Sequence, residues 1–153
     1  MAGSTAKSKL TQKKLLALDT DHFSELERDS TAGQRLTRRL ELSRAPKAVT
    51  IVTVEEQLRG WLAELRRHHD PHRQIATYVK LQRQIETFAN WILLPWDAAS
   101  AESFLRLRRE GVRIGSMDLK IACIALAQDV TLLTRNAMHF AQVPGLRFEN
   151  WLD

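Results

Sequence analysis

Apolar and polar positions along the chain alternate between short apolar runs and longer stretches of helical period. "KLLALD" is a brief apolar run ending at Asp19, and "DHFSELERD" behind it reads as a helical turn or two. "TAGQRLTRRLELS" is amphipathic, with Leu36, Leu40 and Leu42 on one side. After Pro46, "AVTIVTV" is β-branched and apolar, the pattern of a strand buried on both faces. It runs into "EEQLRGWLAELRRH", where Leu58, Trp61, Leu62 and Leu65 recur at helical spacing. A second long helix, "PHRQIATYVKLQRQIETFANW", has Pro71 near its first turn and Ile75, Tyr78, Val79, Ile85 and Phe88 as its apolar face. The two predict a helical hairpin. "ILLPW" reads as a short strand, and "DAASAESFLRLRREG" as a helix capped by Asp97 and ended by Gly111. Asp118 then opens a helix bearing Leu119, Ala122, Ala125 and Leu126, the chain turns at Asp129 into the strand "VTLLT", and "LRFENW" has the look of an edge strand.

Strands alternating with helices predict an α/β domain with a mainly parallel sheet, helices on both faces, and the helical hairpin inserted between strands. At 153 residues the chain has the length of one domain with a substantial core. The division expected is a basic tail over residues 1–13 and a single domain over 14–153, without internal repeats.

Composition narrows the picture only in places. The lone cysteine, Cys123, lies in an apolar helical stretch, so no internal disulfide forms and a small buried side chain is expected. No apolar run is long enough to span a membrane, and the lysine-bearing N-terminus lacks the apolar stretch of a secretory signal. A cytoplasmic protein is the simplest expectation. The net charge of +5 is concentrated in Lys7, Lys9, Lys13 and Lys14; without them 19 basic residues face 18 acidic ones. Any contact with nucleic acid must therefore come from local patches. Two patches exist, one with Arg59, Arg66, Arg67 and Arg73, the other with Arg106, Arg108, Arg109 and Arg113, and solvated helix faces explain both. His68, His69, Asp70 and His72 lack the spacing of a zinc site, because Pro71 breaks the run, and read as a turn between helices. Trp61 and Trp91 fit apolar helix faces.

The acids fall at telling places. Asp19 ends the first strand, Glu55 and Glu56 follow the second, and Asp118 opens the helix before the fourth. Ligands of open α/β sheets bind beyond the carboxyl ends of the strands, so these acids are predicted to share one rim. Each also has a local explanation: Asp19 and Asp118 suit a helix start, and Glu56 a solvated first turn. Three carboxylates at one rim repel one another unless a cation joins them. Mg²⁺ or Mn²⁺ suits such a set, since it takes a few carboxylates and leaves positions for water and phosphate oxygens.

These stretches resemble the PIN domain, of the kind found as the VapC-like toxin of bacterial toxin–antitoxin modules. "LLALDTDHFSEL" looks like the first-strand motif of that family, and "TIVTVEEQLRGW" resembles the second, in which a Glu lies four positions before a Gly; that register selects Glu56 over Glu55. "RIGSMDLKIACIALAQDVTLLTRNAMHFAQVPGLRFENW" resembles the third and last motifs in order, and the likeness extends from about Lys14 to Trp151. The resemblance implies a three-layer α/β/α sandwich and a metal-dependent endoribonuclease. It carries over Asp19, Glu56 and Asp118 as catalytic, metal-binding acids for Mg²⁺ or Mn²⁺. Thr20, Thr134, Arg135 and Asn136 are candidate supporting residues: Thr20 to orient a ligand, Arg135 to meet phosphate, Asn136 to position water. It also implies an RNA substrate, a cognate antitoxin, a homodimer and no membrane. The chain departs from the family where Asn136 stands at a commonly acidic position and His139 at another. One well-held ion, with a second arriving with substrate, is the resulting expectation.

Two other readings compete. "LLALDTDHF" matches the Asp-x-Asp strand end of haloacid-dehalogenase-type phosphatases, but "TLLTRN" supplies neither the later Lys nor the second acidic pair that chemistry needs. A catalytically weak or inactive PIN-like module that binds RNA or protein is the alternative that Asn136 keeps open.

Overall fold

The computed structural model describes residues 15–153; the basic tail lies outside the described residues. Five short strands form one sheet: β1 (Leu16–Leu18), β2 (Lys47–Thr50), β3 (Ile92–Leu94), β4 (Thr131–Leu133) and β5 (Phe148–Glu149). Their order is β3-β2-β1-β4-β5, and every pairing is parallel. Seven helices connect them: α1 (Thr20–Arg28), α2 (Thr31–Ser43), α3 (Ile51–Arg67), α4 (Pro71–Ala89), α5 (Ala98–Arg109), α6 (Ser116–Gln128) and α7 (Ala137–Phe140). The predicted α/β sandwich and the hairpin of α3 and α4 are both present.

Strand alternation sorts the core into two layers. Leu16, Leu18 and Leu133 pack with Leu36 and Leu40 of α2, whereas Ala17, Ala48 and Leu132 pack against α5 and α6. Helix α6 is apolar on nearly every side, with Leu119, Ile121, Ala122, Cys123, Ile124 and Ala125 all buried, as a helix must be when it lies between a sheet and another helix. Cys123 is fully buried and its thiol is pushed up to about 11 by that burial, so it is an inert core side chain. On the opposite face α2 lies so close to α1 that a Cβ on Gly33 would stand 2.1 Å from the Glu25 carbonyl oxygen.

Three details of the sequence pattern are corrected. The strand read in "AVTIVTV" stops at Thr50, whose hydroxyl accepts from the Thr53 N–H and caps α3, so Ile51 to Val54 are helical. Glu55 and Glu56 therefore sit inside α3 and not at the strand end. The apolar face predicted for α4 points largely outward: Ile75, Tyr78, Val79 and Ile85 are exposed, and the buried positions are Thr77, Gln84 and Phe88. Gln84 occupies the interior because all of its amide is used. Its oxygen accepts from the Trp61 indole at 2.7 Å, and its nitrogen donates to Gln57 at 2.9 Å and Glu27 at 3.2 Å. Leu42 and Leu62 are exposed as well. Trp61 is half-buried, and Trp91, also half-buried, packs edge-on against Phe23. The arginine patches are solvated helix faces with local partners, among them Arg59–Glu55, Arg73–Asp70 and Arg106–Glu110. No helix among the described residues is long and apolar enough to cross a membrane.

Candidate functional site

The central strand β1 lies between β2 and β4. The chain leaves β1 through α1 and α2 on one face and reaches β4 through α5 and α6 on the other, so the ends of β1 and β4 flank the point where the winding reverses. That crevice is where such sheets bind ligands. Asp19 closes β1 and Thr134 closes β4; the Asp19 N–H still pairs with the Leu133 carbonyl at 2.9 Å.

A continuous hydrogen-bonded arc joins the three predicted acids. The Thr20 hydroxyl donates to Glu56 at 3.0 Å, while its backbone N–H donates to Asp19 at 2.8 Å. The Thr134 hydroxyl donates to the other Asp19 oxygen at 2.8 Å and accepts from the Asn136 backbone N–H at 3.0 Å. The Asn136 side-chain amide then donates to Asp118 at 3.1 Å. Asp19, Glu56, Asp118, Thr20, Thr134 and Asn136 are thus brought together, each acid oriented by a neutral donor.

Local roles differ among them. Asp19 is also the N-cap of α1. Asp118 lies in the first turn of α6, but the cap position is Gly115, without a side-chain bond, so Asp118 is oriented by Asn136 and not by capping. Arg135 is engaged by acids outside the predicted set. Its guanidinium pairs with Glu25 at 3.5 Å and Asp153 at 3.4 Å, and its backbone N–H serves the site by donating to Asp21.

The electrostatics are those of crowded acids. Asp19 is only 6% exposed; burial first, then the neighbouring charge of Asp21 and that of Asp118, raise its carboxyl from 3.8 to about 7. Burial and the charges of Asp118 and Glu55 raise Glu56 too. Asp118 thus couples electrostatically to both of the other acids. Among the described residues no three His, Cys, Asp or Glu side chains are grouped so that they could hold a metal ion by themselves. The donors are carboxylates on an open rim, a set that suits a hard ion keeping several waters more than a cage-bound one. The histidine run at the hairpin turn has no such arrangement; there Asp70 simply caps α4.

Sequence reading missed two members. Asp21 accepts the Arg135 N–H at 3.1 Å and contacts His22 Nδ1 at 2.6 Å. His22 is fully buried, and its Nε2 accepts the Trp151 N–H at 3.1 Å. The ring proton is therefore on Nδ1, pointing at Asp21. The signal was present in "DTDH", where the second acid counted only toward the phosphatase reading.

An all-parallel α/β/α sandwich with acids at its winding reversal is the architecture expected of a PIN domain. No protein-family model matches the chain. It is 31% identical over 118 residues to the tRNA(fMet)-specific endonuclease VapC of Shigella flexneri, covering 74% of this chain and 81% of that protein. It is 44% identical over 45 residues to ribonuclease VapC2 of Rickettsia felis, a match spanning 29% of this chain and about a third (34%) of that relative's length. Among solved structures, VapBC-1 from nontypeable Haemophilus influenzae superposes with a TM-score of 0.68 at 21% identity, covering 91% of this chain and 99% of that one. VapBC2 of Rickettsia felis, bound to promoter DNA, superposes with a TM-score of 0.66 at 21% identity, covering 90% and 98%. The chain belongs to the VapC-like family of PIN-domain ribonucleases. That assignment sets the phosphatase reading aside.

Proposed function

We propose that this chain is a divalent-metal-dependent endoribonuclease, the toxin of a toxin–antitoxin pair, with Asp19, Glu56 and Asp118 as its catalytic acids. The observation that carries this is the arc of hydrogen bonds linking those acids around a carboxyl raised to about 7. Such a rim is electrostatically costly until a cation joins it. The three acids would hold Mg²⁺ or Mn²⁺, one ion firmly, since Asn136 adds no charge. When bound, such an ion polarises the phosphodiester and acidifies water for in-line attack.

The remaining steps fall to the chain's own groups. Thr20 and Thr134 fix both oxygens of Asp19 and one of Glu56, so the acids need no reorganisation to act. Asp19 must give up its proton to take part, and its position near 7 lets it do so at neutral pH. Asn136 donates its side-chain amide to Asp118 and brings no charge of its own.

RNA is the substrate class, and because the Shigella flexneri relative is a tRNA(fMet)-specific endonuclease, tRNA is the first substrate to assay. An antitoxin partner is part of the same reading, supported by the toxin–antitoxin complexes among the fold's neighbours. The exposed Ile75, Tyr78, Val79 and Ile85 of the hairpin offer apolar surface for it or for a second copy in a homodimer.

The test is cleavage of tRNA by the wild-type chain and by Asp118→Asn, with Mg²⁺ or Mn²⁺ and with chelator. Cleavage that needs the ion and is lost in the variant, with an unchanged circular dichroism spectrum, supports the proposal. Unchanged cleavage removes Asp118 from the site. RNA binding without turnover, even with Mn²⁺, would establish an RNA-binding module in place of an enzyme.

A further inference from the structure

Asp118, Asn136 and His139 meet around one carboxylate oxygen. The Asn136 amide nitrogen lies 3.1 Å from Asp118 Oδ2 and 2.7 Å from His139 Nδ1, and that Nδ1 lies 3.2 Å from the same Oδ2. Counting protons decides what these contacts are. An amide nitrogen only donates, and it has two hydrogens. Turning the amide over would press its carbonyl oxygen against the Asp118 carboxylate, so the nitrogen faces inward. One hydrogen points to Asp118 and the other to His139, whose Nδ1 must be bare to accept at 2.7 Å. Nδ1 of His139 thus stands 2.7 Å from the Asn136 amide nitrogen and 3.2 Å from Asp118 Oδ2. Two lone-pair atoms are held side by side, with the positive end of an amide between them.

We propose that Asp118 Oδ2 and His139 Nδ1 form a mixed oxygen–nitrogen bite for the divalent ion, in which the Asn136 amide hydrogens stand where the cation binds. This rests on the ion-dependent reading above and deepens it. The separation of the two atoms matches an ion's needs. Neighbouring ligands around an octahedral ion at about 2.1 Å are about 3.0 Å apart, against 3.2 Å here. Both side chains are open to solvent, His139 at 51% and Asp118 at 27% exposure, so an ion reaches them without unfolding anything. Both have firm mounts, Asp118 beside buried Leu119 and His139 beside buried Phe140. A half-turn of the Asn136 amide about its last torsion withdraws the hydrogens and presents the carbonyl oxygen to the same bite. The chain thereby gains a nitrogen ligand and a neutral oxygen where more carboxylate would otherwise serve. Imidazole adds more affinity for first-row transition ions than for Mg²⁺, so the bite favours Mn²⁺ over Mg²⁺.

The experiment uses the full chain without a histidine tag, titrated with Mn²⁺ and then with Mg²⁺ in competition, and pulsed electron paramagnetic resonance of the Mn²⁺ form. The expected result is ¹⁴N coupling to Mn²⁺ in the wild type, replaced by ¹⁵N coupling when histidine is isotopically labelled. In His139→Ala the coupling disappears, Mn²⁺ affinity falls about tenfold, and Mg²⁺ affinity changes less than about threefold. His139→Gln, which removes the imidazole but keeps a polar side chain, must lose the coupling as well and serves if the alanine variant folds poorly. Mn²⁺ that binds, and is lost in Asp118→Asn, yet shows no histidine nitrogen coupling overturns the imidazole ligand and leaves the ribonuclease proposal standing. Absence of any Mn²⁺ or Mg²⁺ binding by the wild type overturns the ion-dependent reading, and this inference with it.

Discussion

The Thr134 hydroxyl donates to Asp19 Oδ2 at 2.8 Å from a fully buried position, tying the ends of the two strands that flank the winding reversal. The Thr134 hydroxyl oxygen in turn accepts the Asn136 N–H, so one small side chain sets both a proposed catalytic acid and the residue that holds another. Thr134→Val keeps the shape and removes both bonds. We expect it to cost about 1–3 kcal/mol of stability and to lower ion-dependent cleavage by about 10–100-fold. Denaturant titration and initial rates check this; wild-type rates in the variant would show that Asp19 needs no such support.

Asp19 also predicts a pH dependence. Its folded value is about 7 and its ordinary value 3.8, so between them the folded chain keeps a proton that the unfolded chain has released. Stability must therefore fall as pH rises through that window, and level off above about 7. Asp19→Asn lacks this proton. The melting temperature of wild type minus variant, measured without divalent ions from about pH 4 to 8, should decline steadily; parallel curves would place the carboxyl near its ordinary value. Ion binding competes with the same proton, so affinity should climb toward about pH 7 and flatten beyond it.

Gln84 joins α3, α4 and α1 through a buried amide. Gln84→Leu leaves the Trp61 indole and Gln57 without a partner, and should cost about 1–3 kcal/mol. Trp61→Phe in the same background should add little, because the bond it removes is already gone. A full additional loss in the double variant, by urea unfolding, would show that the pair is not coupled.

Gly33 marks the closest approach of α2 to α1, with the Glu25 carbonyl where a Cβ would stand. In most helices Gly→Ala stabilises by up to about 1 kcal/mol. Here the sign should reverse, with Gly33→Ala lowering stability by about 1–3 kcal/mol as the helices are forced apart. A raised melting temperature would mean that α2 shifts freely.

Much of the fold was legible because its central strands β1 and β4 are buried on both faces and most of its helices carry caps. The apolar runs Leu16–Leu18 and Thr131–Leu133 are fully buried strands, Ile92–Leu94 forms an edge strand with only Leu94 buried, and Asp97 and Gly111 bound α5. The end of β2 was misread because β-branched residues continue past it; only the Thr50 cap turns "IVTV" into helix. The face of α4 was misread because periodicity reports apolarity and not what lies opposite. A glutamine with three partners waiting is worth burying, and four apolar residues without any were left outside.

The site divides in the same way. Asp19, Glu56 and Asp118 could be named from the sequence, since a chain position at a strand end or in a family motif is a one-dimensional fact. That they form an arc through Thr20, Thr134 and Asn136 is a fact of strands and helices meeting in space, as is the recruitment of Asp21 through buried His22 and the distant Trp151 N–H. The sequence by itself singled out Asp19, Glu56 and Asp118, because residue type, local position and a family motif are one-dimensional facts, but it did not single out Asp21. Only the tertiary structure decided which oxygens are tied, which carboxyl keeps its proton and which histidine stands beside Asp118, because those depend on distances of about 3 Å between groups up to 129 residues apart.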